Sequence, residues 1–118
     1  MSDNNTRPLP DFITSLPLAD IPIEGLTSCL LQGDNQQVIF FDCGCDVKIP
    51  EHCHAAQWGI AIDGQMELTI EGKKNVVRKG DTYFIPEDTR HSAILRKGYR
   101  DITFFNQKDR YKTRVSHS

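Results

Sequence analysis

The chain has 118 residues, of which 38% are hydrophobic and 25% are charged, and its formal net charge is −2. This composition is that of one soluble globular domain, large enough to bury a core without disulfides. The small net charge gives no sign of a nucleic-acid partner or an anionic membrane surface, and no apolar run approaches the ~20 residues of a membrane span. The polar first ten residues also lack the apolar stretch of a signal peptide, so we expect a cytoplasmic protein with reduced cysteines.

The two ends of the chain differ in pattern from the middle. Three of the six prolines fall within the first 20 residues, among polar side chains. We therefore predict an irregular N-terminal arm over residues 1–22, with one short helical turn near Asp11–Ser15. Residues 108–118 are predicted to form a C-terminal tail. The basic residues near this end are expected to be solvated: Lys108, Arg110, Lys112 and Arg114.

Between the two ends, residues 23–107 consist of short runs of β-forming residues separated by turn residues. No stretch of ten or more residues keeps a helical period, so the pattern predicts an all-β domain, either a sandwich or a barrel. Asp63-Gly64, between two alternating runs, predicts a two-residue hairpin. The predicted strands are Leu26–Leu31, Gln37–Cys43, Gln57–Ile62, Gln65–Ile70, Asn75–Arg78, Thr82–Pro86, His91–Arg96 and Asp101–Asn106.

The four histidines are His52, His54, His91 and His117, and the last of them lies one residue from the C-terminus. His52 and His54 belong to an extended segment that follows Pro50. Because side chains alternate between the faces of a strand, the two imidazoles point the same way and Cys53 points the other way. Two imidazoles on one strand face can chelate a single metal ion, although this spacing alone is weak evidence for a site.

The strand that begins at Gln57 carries an unusual alternation. If Gln57 faces inward, so do Gly59 and Ala61, whereas the large residues Trp58, Ile60 and Ile62 lie on the opposite face. One interpretation is a local packing compromise. The other is a cavity beside the metal, whose wall of small residues admits a ligand, with the apolar back face covered by another element or a second subunit.

These residues resemble both motifs of the cupin superfamily. His52, His54, Gln57 and Gly64 are similar to the family pattern of two histidines, an acidic or amide ligand and a glycine. Gly80, five residues, Pro86 and then His91 are similar to the second pattern. This chain has Gln57 where the family usually has a glutamate, and Asp88 where a glycine is usual.

The resemblance implies a jelly-roll β-barrel over residues 23–107 and one divalent transition metal ion bound by His52, His54, Gln57 and His91. Three neutral imidazoles suit iron, nickel, copper, zinc or cobalt, and the missing carboxylate weakens the case for manganese. The uncompensated charge of such an ion would attract an anionic ligand. Small cupins also resemble one another in forming homodimers through apolar surfaces, so we expect a homodimer.

Other assignments remain open at this stage. Cys43 and Cys45, together with His52 and His54, offer an alternative zinc set that leaves His91 without a role. The more ordinary interpretation places both cysteines in the core or the pocket lining.

The groups around the site are identified only by their position in the chain. Glu51, Glu67 and Asp88 are candidates to accept hydrogen bonds from the ligating histidines. Tyr83 and Phe84 are either core aromatics or part of the pocket wall.

Two functions fit this interpretation, and the sequence assigns no catalytic residue to either. The first is a metal-dependent enzyme, similar to small cupin dioxygenases, that acts on a small metal-chelating molecule. The second is a module that binds or senses a metal and a small ligand without turnover, which the lack of an obvious general base favours. Because one fold hosts many functions, the choice between them rests on analogy.

Overall fold

The computed structural model describes residues 9–114, so His117 lies outside the described residues. One short helix, α1, covers Asp11–Thr14. The nine strands are β1 Leu26–Gln32, β2 Gln37–Cys43, β3 Val47–His52, β4 Gln57–Asp63, β5 Gln65–Ile70, β6 Lys73–Arg78, β7 Thr82–Ile85, β8 His91–Leu95 and β9 Arg100–Phe105.

The strands form two antiparallel sheets. One has the order β1-β2-β9-β4-β7 and the other the order β3-β8-β5-β6. The alternating pattern of each strand places apolar side chains between the sheets, as in β2, where every second residue from Gln37 to Cys43 is buried. The predicted all-β jelly-roll barrel is confirmed. Within residues 9–114, no helix is long and apolar enough to cross a membrane.

The strand that ends at His52 is the one that the alternation did not reveal. The sequence indicated only an extended segment after Pro50, yet Val47–His52 forms a strand that pairs with β8 at the edge of its sheet. Pro50 interrupts its hydrophobic pattern, and its pairing register shifts between Ile49 and His52. An edge position tolerates a proline because only one side of the strand needs ladder hydrogen bonds.

The hairpin prediction at Asp63-Gly64 is wrong. β4 and β5 belong to different sheets, and Gly64 is the corner at which the chain passes from one sheet to the other. Gly64 has φ +67°, and an added Cβ would lie 2.7 Å from the backbone of Tyr99. The two-residue hairpin is formed instead at Glu71-Gly72 between β5 and β6, where both residues have positive φ, as a type I′ turn requires.

Within residues 9–114, the segments before β1 and after β9 are both attached to the barrel. Residues 17–19 run beside β1, with a hydrogen bond from the Ala19 amide to the Ser28 carbonyl at 2.8 Å, and Ala19 is 1% exposed. The C-terminal segment is attached by Gln37, whose buried side-chain amide both donates to the Tyr111 carbonyl (2.8 Å) and accepts from the Tyr111 amide (3.0 Å). Residues 110 and 111 are therefore held against the barrel.

Candidate metal centre

Three histidines meet at one end of the β3–β8 pair. His52 ends β3 and lies directly opposite His91, the first residue of β8, while His54 follows β3 by two residues. The ring centroids of His52 and His91 are 4.3 Å apart, and those of His54 and His91 are 4.8 Å apart. One nitrogen from each ring lies within 4.8 Å of the others, which is a spacing that one metal ion can bridge.

The tautomer of each histidine is set by a backbone carbonyl. The Nδ1 atoms of His52, His54 and His91 lie 2.9, 2.6 and 2.8 Å from the carbonyl oxygens of Pro50, Ala55 and Thr89, respectively. A carbonyl oxygen only accepts, so each Nδ1 must donate a proton and each Nε2 is left with a free lone pair.

The three carboxylates that the sequence suggested as hydrogen-bond acceptors for the histidines are engaged or placed elsewhere. Glu51 pairs with Arg90, and Glu67 pairs with Lys74 and Arg96. Asp88 is exposed in a turn with positive φ. The acceptors are instead backbone carbonyls close to each histidine in the chain, at Pro50, Ala55 and Thr89.

The environment favours the neutral, metal-binding form of the imidazoles. Burial is the main reason that the pKa of His54 is lowered to about 4; electrostatic interactions with Arg110, His91 and His52 act in the same direction, and the hydrogen bond with the Ala55 carbonyl opposes them. Burial also lowers the pKa of His91. At neutral pH, protons therefore do not compete for these two ligand atoms.

Gln57 reaches the same cavity from β4, in the other sheet. Burial raises the pKa of the Tyr83 phenol, and the amide of Gln57 opposes this larger effect by acting as a donor towards the Tyr83 hydroxyl. Since Tyr83 donates its only proton to Asp101 at 2.7 Å, the Tyr83 oxygen can only accept from Gln57. The amide nitrogen of Gln57 must therefore point to Tyr83, and its carbonyl oxygen remains for the cavity.

Behind Gln57 lies a buried polar cluster that the sequence reasoning missed. The Asp101 carboxylate, 2% exposed, accepts hydrogen bonds from Tyr83 (2.7 Å), Tyr99 (2.6 Å) and Thr103 (3.0 Å). Burial raises the pKa of Asp101 to about 6, although the three hydroxyl donors oppose this shift. Strand alternation was the available signal, because it places Asp101, Thr103 and Phe105 on one face of β9.

The small residue Gly59 accommodates the Tyr83 ring and does not admit a ligand. Gly59 lies between Tyr83 on β7 and Thr103 on β9, and the ring crosses it to bring the two hydroxyl oxygens within 2.8 Å. A Cβ on Gly59 would lie 2.4 Å from the ring. Of the two interpretations of this strand, packing is therefore correct at Gly59. Phe84 is exposed on the outer face.

A cavity of about 300 Å³ extends from the histidines into the barrel. Its wall is mainly apolar, with Met66, Leu68, Ile85 and Leu95 among the lining residues. Arg110 also lines it, which corrects the expectation that all four basic residues near the C-terminus are solvated. The Gln37–Tyr111 hydrogen bonds described above hold this segment against the barrel, and they are formed between residues 74 positions apart in the chain.

The alternative zinc set is not assembled. Among the described residues, the group of side chains that could hold a metal consists of the three histidines alone. Cys43 is buried, and burial raises the pKa of its thiol to about 12, so the thiolate form that binds metal is disfavoured. Cys53 is exposed, and all four cysteines are free of disulfides.

Comparisons with known proteins agree on the fold. Residues 44–98 match the family model described as the cupin domain. An RmlC-like cupin from Shewanella frigidimarina superposes with a TM-score of 0.70 at 21% identity, covering 81% of this chain and 86% of that one. KdgF from Halomonas sp. gives a TM-score of 0.66 at 18% identity, covering 80% and 96%.

A larger protein shares the same fold over part of its length. A deletion mutant of Bacillus subtilis oxalate decarboxylase gives a TM-score of 0.64 at 17% identity, covering 94% of this chain and 34% of that one. A further structure of the same decarboxylase is described as having Mn(II) centres. No curated protein has significant sequence similarity to the chain. At these identities the likenesses concern the fold alone.

Proposed function

Because this chain is a small cupin-domain protein, we propose that it binds one divalent transition metal ion through His52, His54 and His91, with Gln57 as a fourth ligand. The observation that supports this most directly is the arrangement of the imidazoles. Each ring is anchored at Nδ1 by a backbone carbonyl, as metal-binding histidines normally are, and one nitrogen from each ring lies within 4.8 Å of the others.

The proposed activity is that of a metal-dependent enzyme, of dioxygenase type, acting on a small metal-chelating molecule. An ion held by three or four protein ligands keeps open positions and supplies Lewis-acid or oxygen-dependent chemistry there when bound. The barrel residues orient the substrate and exclude water from an apolar cavity of about 300 Å³. Iron, nickel, copper, zinc, cobalt and manganese are all candidates, and the oxygen of Gln57 adds a ligand without adding charge.

One observation favours a second function, a binding or sensing module without turnover. Among the described residues that line the cavity, Asp101 is the only carboxylate, and both of its oxygens already accept hydrogen bonds from buried hydroxyls. A carboxylate so fully occupied is a poor general base for a substrate proton. Oxygen uptake by iron-loaded protein with small diketones, thiols and flavonol-type compounds separates the two functions, because only the enzyme consumes oxygen.

The metal centre itself is tested by elemental analysis of protein purified without a histidine tag or added metal. We expect about one metal ion per chain in the wild type and its loss in His91→Ala. His117→Ala is the matched control, since it removes a histidine from the C-terminal end and should leave the metal content unchanged. Zinc that survives His91→Ala would overturn the proposal.

We also propose that the protein is a homodimer. The outer face of the five-stranded sheet carries a row of apolar side chains in cross-strand register. Phe104 lies between the half-buried Val38 and the exposed Trp58, and Trp58 is followed by the exposed Phe84. The rings of Trp58 and Phe104 are 6.0 Å apart. A flat apolar sheet face of this kind suits a self-complementary interface.

A further inference from the structure

We propose that the cavity binds a small carboxylate with an apolar body, its carboxylate lying between the Arg110 guanidinium and the metal and its apolar part lying inside the barrel. The proposal names the ligand class of the metal centre and therefore rests on that proposed function. It depends on three features of the cavity: an arginine for which residues 9–114 supply no carboxylate partner, an excess of positive charge and an apolar wall.

Arg110, which lines the cavity, has an unmet hydrogen-bonding capacity. Its Nε atom is buried and has no hydrogen-bond partner among residues 9–114. Arg90, Arg96 and Arg114 each form an ion pair with a carboxylate, whereas no such pair is found for Arg110 in the same part of the chain. A buried N–H without a partner costs about 1–3 kcal/mol. A bound carboxylate removes that cost, because it accepts two parallel hydrogen bonds from a guanidinium.

The Arg110 side chain is also held in place. Its guanidinium lies over the ring of Tyr111, 4.5 Å from the centroid, and the backbone of Tyr111 is fixed to Gln37 by two hydrogen bonds. Arg110 and the three histidines line the same cavity, so the guanidinium and the proposed metal site face a common space. A planar donor fixed in this way can share one small anion with the ion between the histidines.

The charge of the site favours an anion. The three histidines and Gln57 are neutral ligands, so a divalent ion keeps both of its positive charges, and Arg110 adds a third. Among the described residues, Asp101 is the only lining carboxylate that opposes them, and three hydroxyl groups already solvate it. With a divalent ion bound, the site would carry a net charge of +2, which a carboxylate ligand partly neutralises.

The apolar wall of the cavity restricts the chemistry of the part of the ligand beyond its carboxylate. Beyond the histidines the cavity is lined by apolar side chains, including Met66, Leu68 and Leu95, which offer no hydrogen bonds. A polyhydroxylated acid would leave its hydroxyl groups without partners there, whereas an alkyl or aryl chain gains about 0.8 kcal/mol for each buried CH₂ group. The volume of about 300 Å³ is at the small end of ligand pockets and limits the ligand to roughly ten heavy atoms.

Calorimetric titration of the metal-loaded protein with hexanoate, hexanamide and acetate tests both halves of the proposal. We expect hexanoate to bind about tenfold or more tightly than hexanamide, which lacks the charge, and than acetate, which lacks the apolar body. Arg110→Gln should lose about tenfold in affinity for hexanoate but little for hexanamide. Lys112→Gln is the matched control, because it removes one positive charge from an exposed position of the same segment.

Metal content, measured on each sample, separates this proposal from the proposed function. Unchanged hexanoate affinity in fully metal-loaded Arg110→Gln would overturn the role of Arg110, and acetate binding as tightly as hexanoate would overturn the apolar body. If the wild type takes up no metal, the proposed function fails, and titration of metal-free wild type against Arg110→Gln still decides the role of the guanidinium. If Arg110→Gln folds poorly, Arg110→Lys provides the test, because lysine keeps the charge but not the planar guanidinium. Its affinity for hexanoate should lie between that of the wild type and that expected for Arg110→Gln.

Discussion

The hydroxyl of Tyr83 donates a 2.7 Å hydrogen bond to the buried carboxylate of Asp101. This bond determines the direction of the next one, because a phenol that has given its only proton to Asp101 can only accept from Gln57. The buried Asp101 carboxylate therefore orients the Gln57 amide through Tyr83. This amide faces the three histidines from the sheet opposite β3 and β8. The first two predictions concern the two members of this pair.

Tyr83→Phe should weaken metal binding without abolishing it. The substitution removes the acceptor that orients the Gln57 amide, and loss of a group that orients a ligand typically weakens metal affinity by about 10- to 100-fold. It also removes one donor to Asp101, so the free energy of unfolding should fall by about 1–3 kcal/mol. Competition with a chromophoric chelator measures the first effect, and urea denaturation of metal-free protein measures the second.

Tyr99→Phe is the matched control for Tyr83→Phe. Tyr99 donates to the same carboxylate oxygen at 2.6 Å. Among the contacts of the described residues, only Tyr83 connects that carboxylate to Gln57. The control should therefore lose similar stability and keep its metal affinity. An equal loss of metal affinity in both variants would mean that Asp101, and not the orientation of Gln57, is responsible.

Asp101→Asn should change how stability depends on pH. The native pKa of Asp101 is raised to about 6, mainly by burial, from 3.8 in the unfolded chain. Below pH 3.8 the group is protonated in both states and its favourable contribution is complete. As pH rises to about 6 the unfolded state ionises first, so this contribution is lost.

The difference in unfolding free energy between wild type and Asp101→Asn isolates this group, because the histidine contributions cancel. For metal-free protein, the stability of the wild type relative to Asp101→Asn should fall by roughly 3 kcal/mol from pH 4 to pH 8. Urea titrations at several pH values provide the measurement. A difference that is flat, or that rises with pH, would show that the native pKa of Asp101 is not raised.

Gly59→Ala should destabilise the barrel by displacing Tyr83. The added Cβ would lie 2.4 Å from the ring, and overpacking of this kind costs about 1–3 kcal/mol. Gly44→Ala is the control, since a Cβ there meets only the Gly25 carbonyl oxygen, at 3.5 Å. Urea unfolding compares the two variants, and equal stability would show that the Tyr83 ring does not need the space above Gly59.

Light scattering should give a mass of twice the 13.4 kDa chain. Trp58→Lys places a charge in the middle of the exposed apolar row and should produce monomers. Val76→Lys is the control, because Val76 is a similarly exposed apolar residue on β6, in the other sheet. A wild type that is monomeric, or a dimer that persists in Trp58→Lys, would contradict an interface on this face.

Much of the barrel was predictable because strand structure leaves a local pattern. Alternation of apolar and polar residues identified strands such as Gln37–Cys43 and Gln65–Ile70 with the bounds that the structure gives them. The same alternation placed His52 and His54 on one side of their segment. The β3 strand was less evident, because Pro50 and the register shift before His52 break its pattern.

What the sequence determined by itself is which face of its strand each residue occupies and which residue types are present to bind a metal. Only the tertiary structure decided which strands are neighbours, so Asp63-Gly64 became a corner between sheets and the backbone carbonyls of Pro50, Ala55 and Thr89 became the partners of the histidines. The same holds for Tyr83 over Gly59, for Asp101 behind Gln57 and for Arg110 in the cavity. The reason is physical: alternation follows from the geometry of consecutive residues, whereas these contacts join residues far apart in the chain and form only when the whole barrel closes.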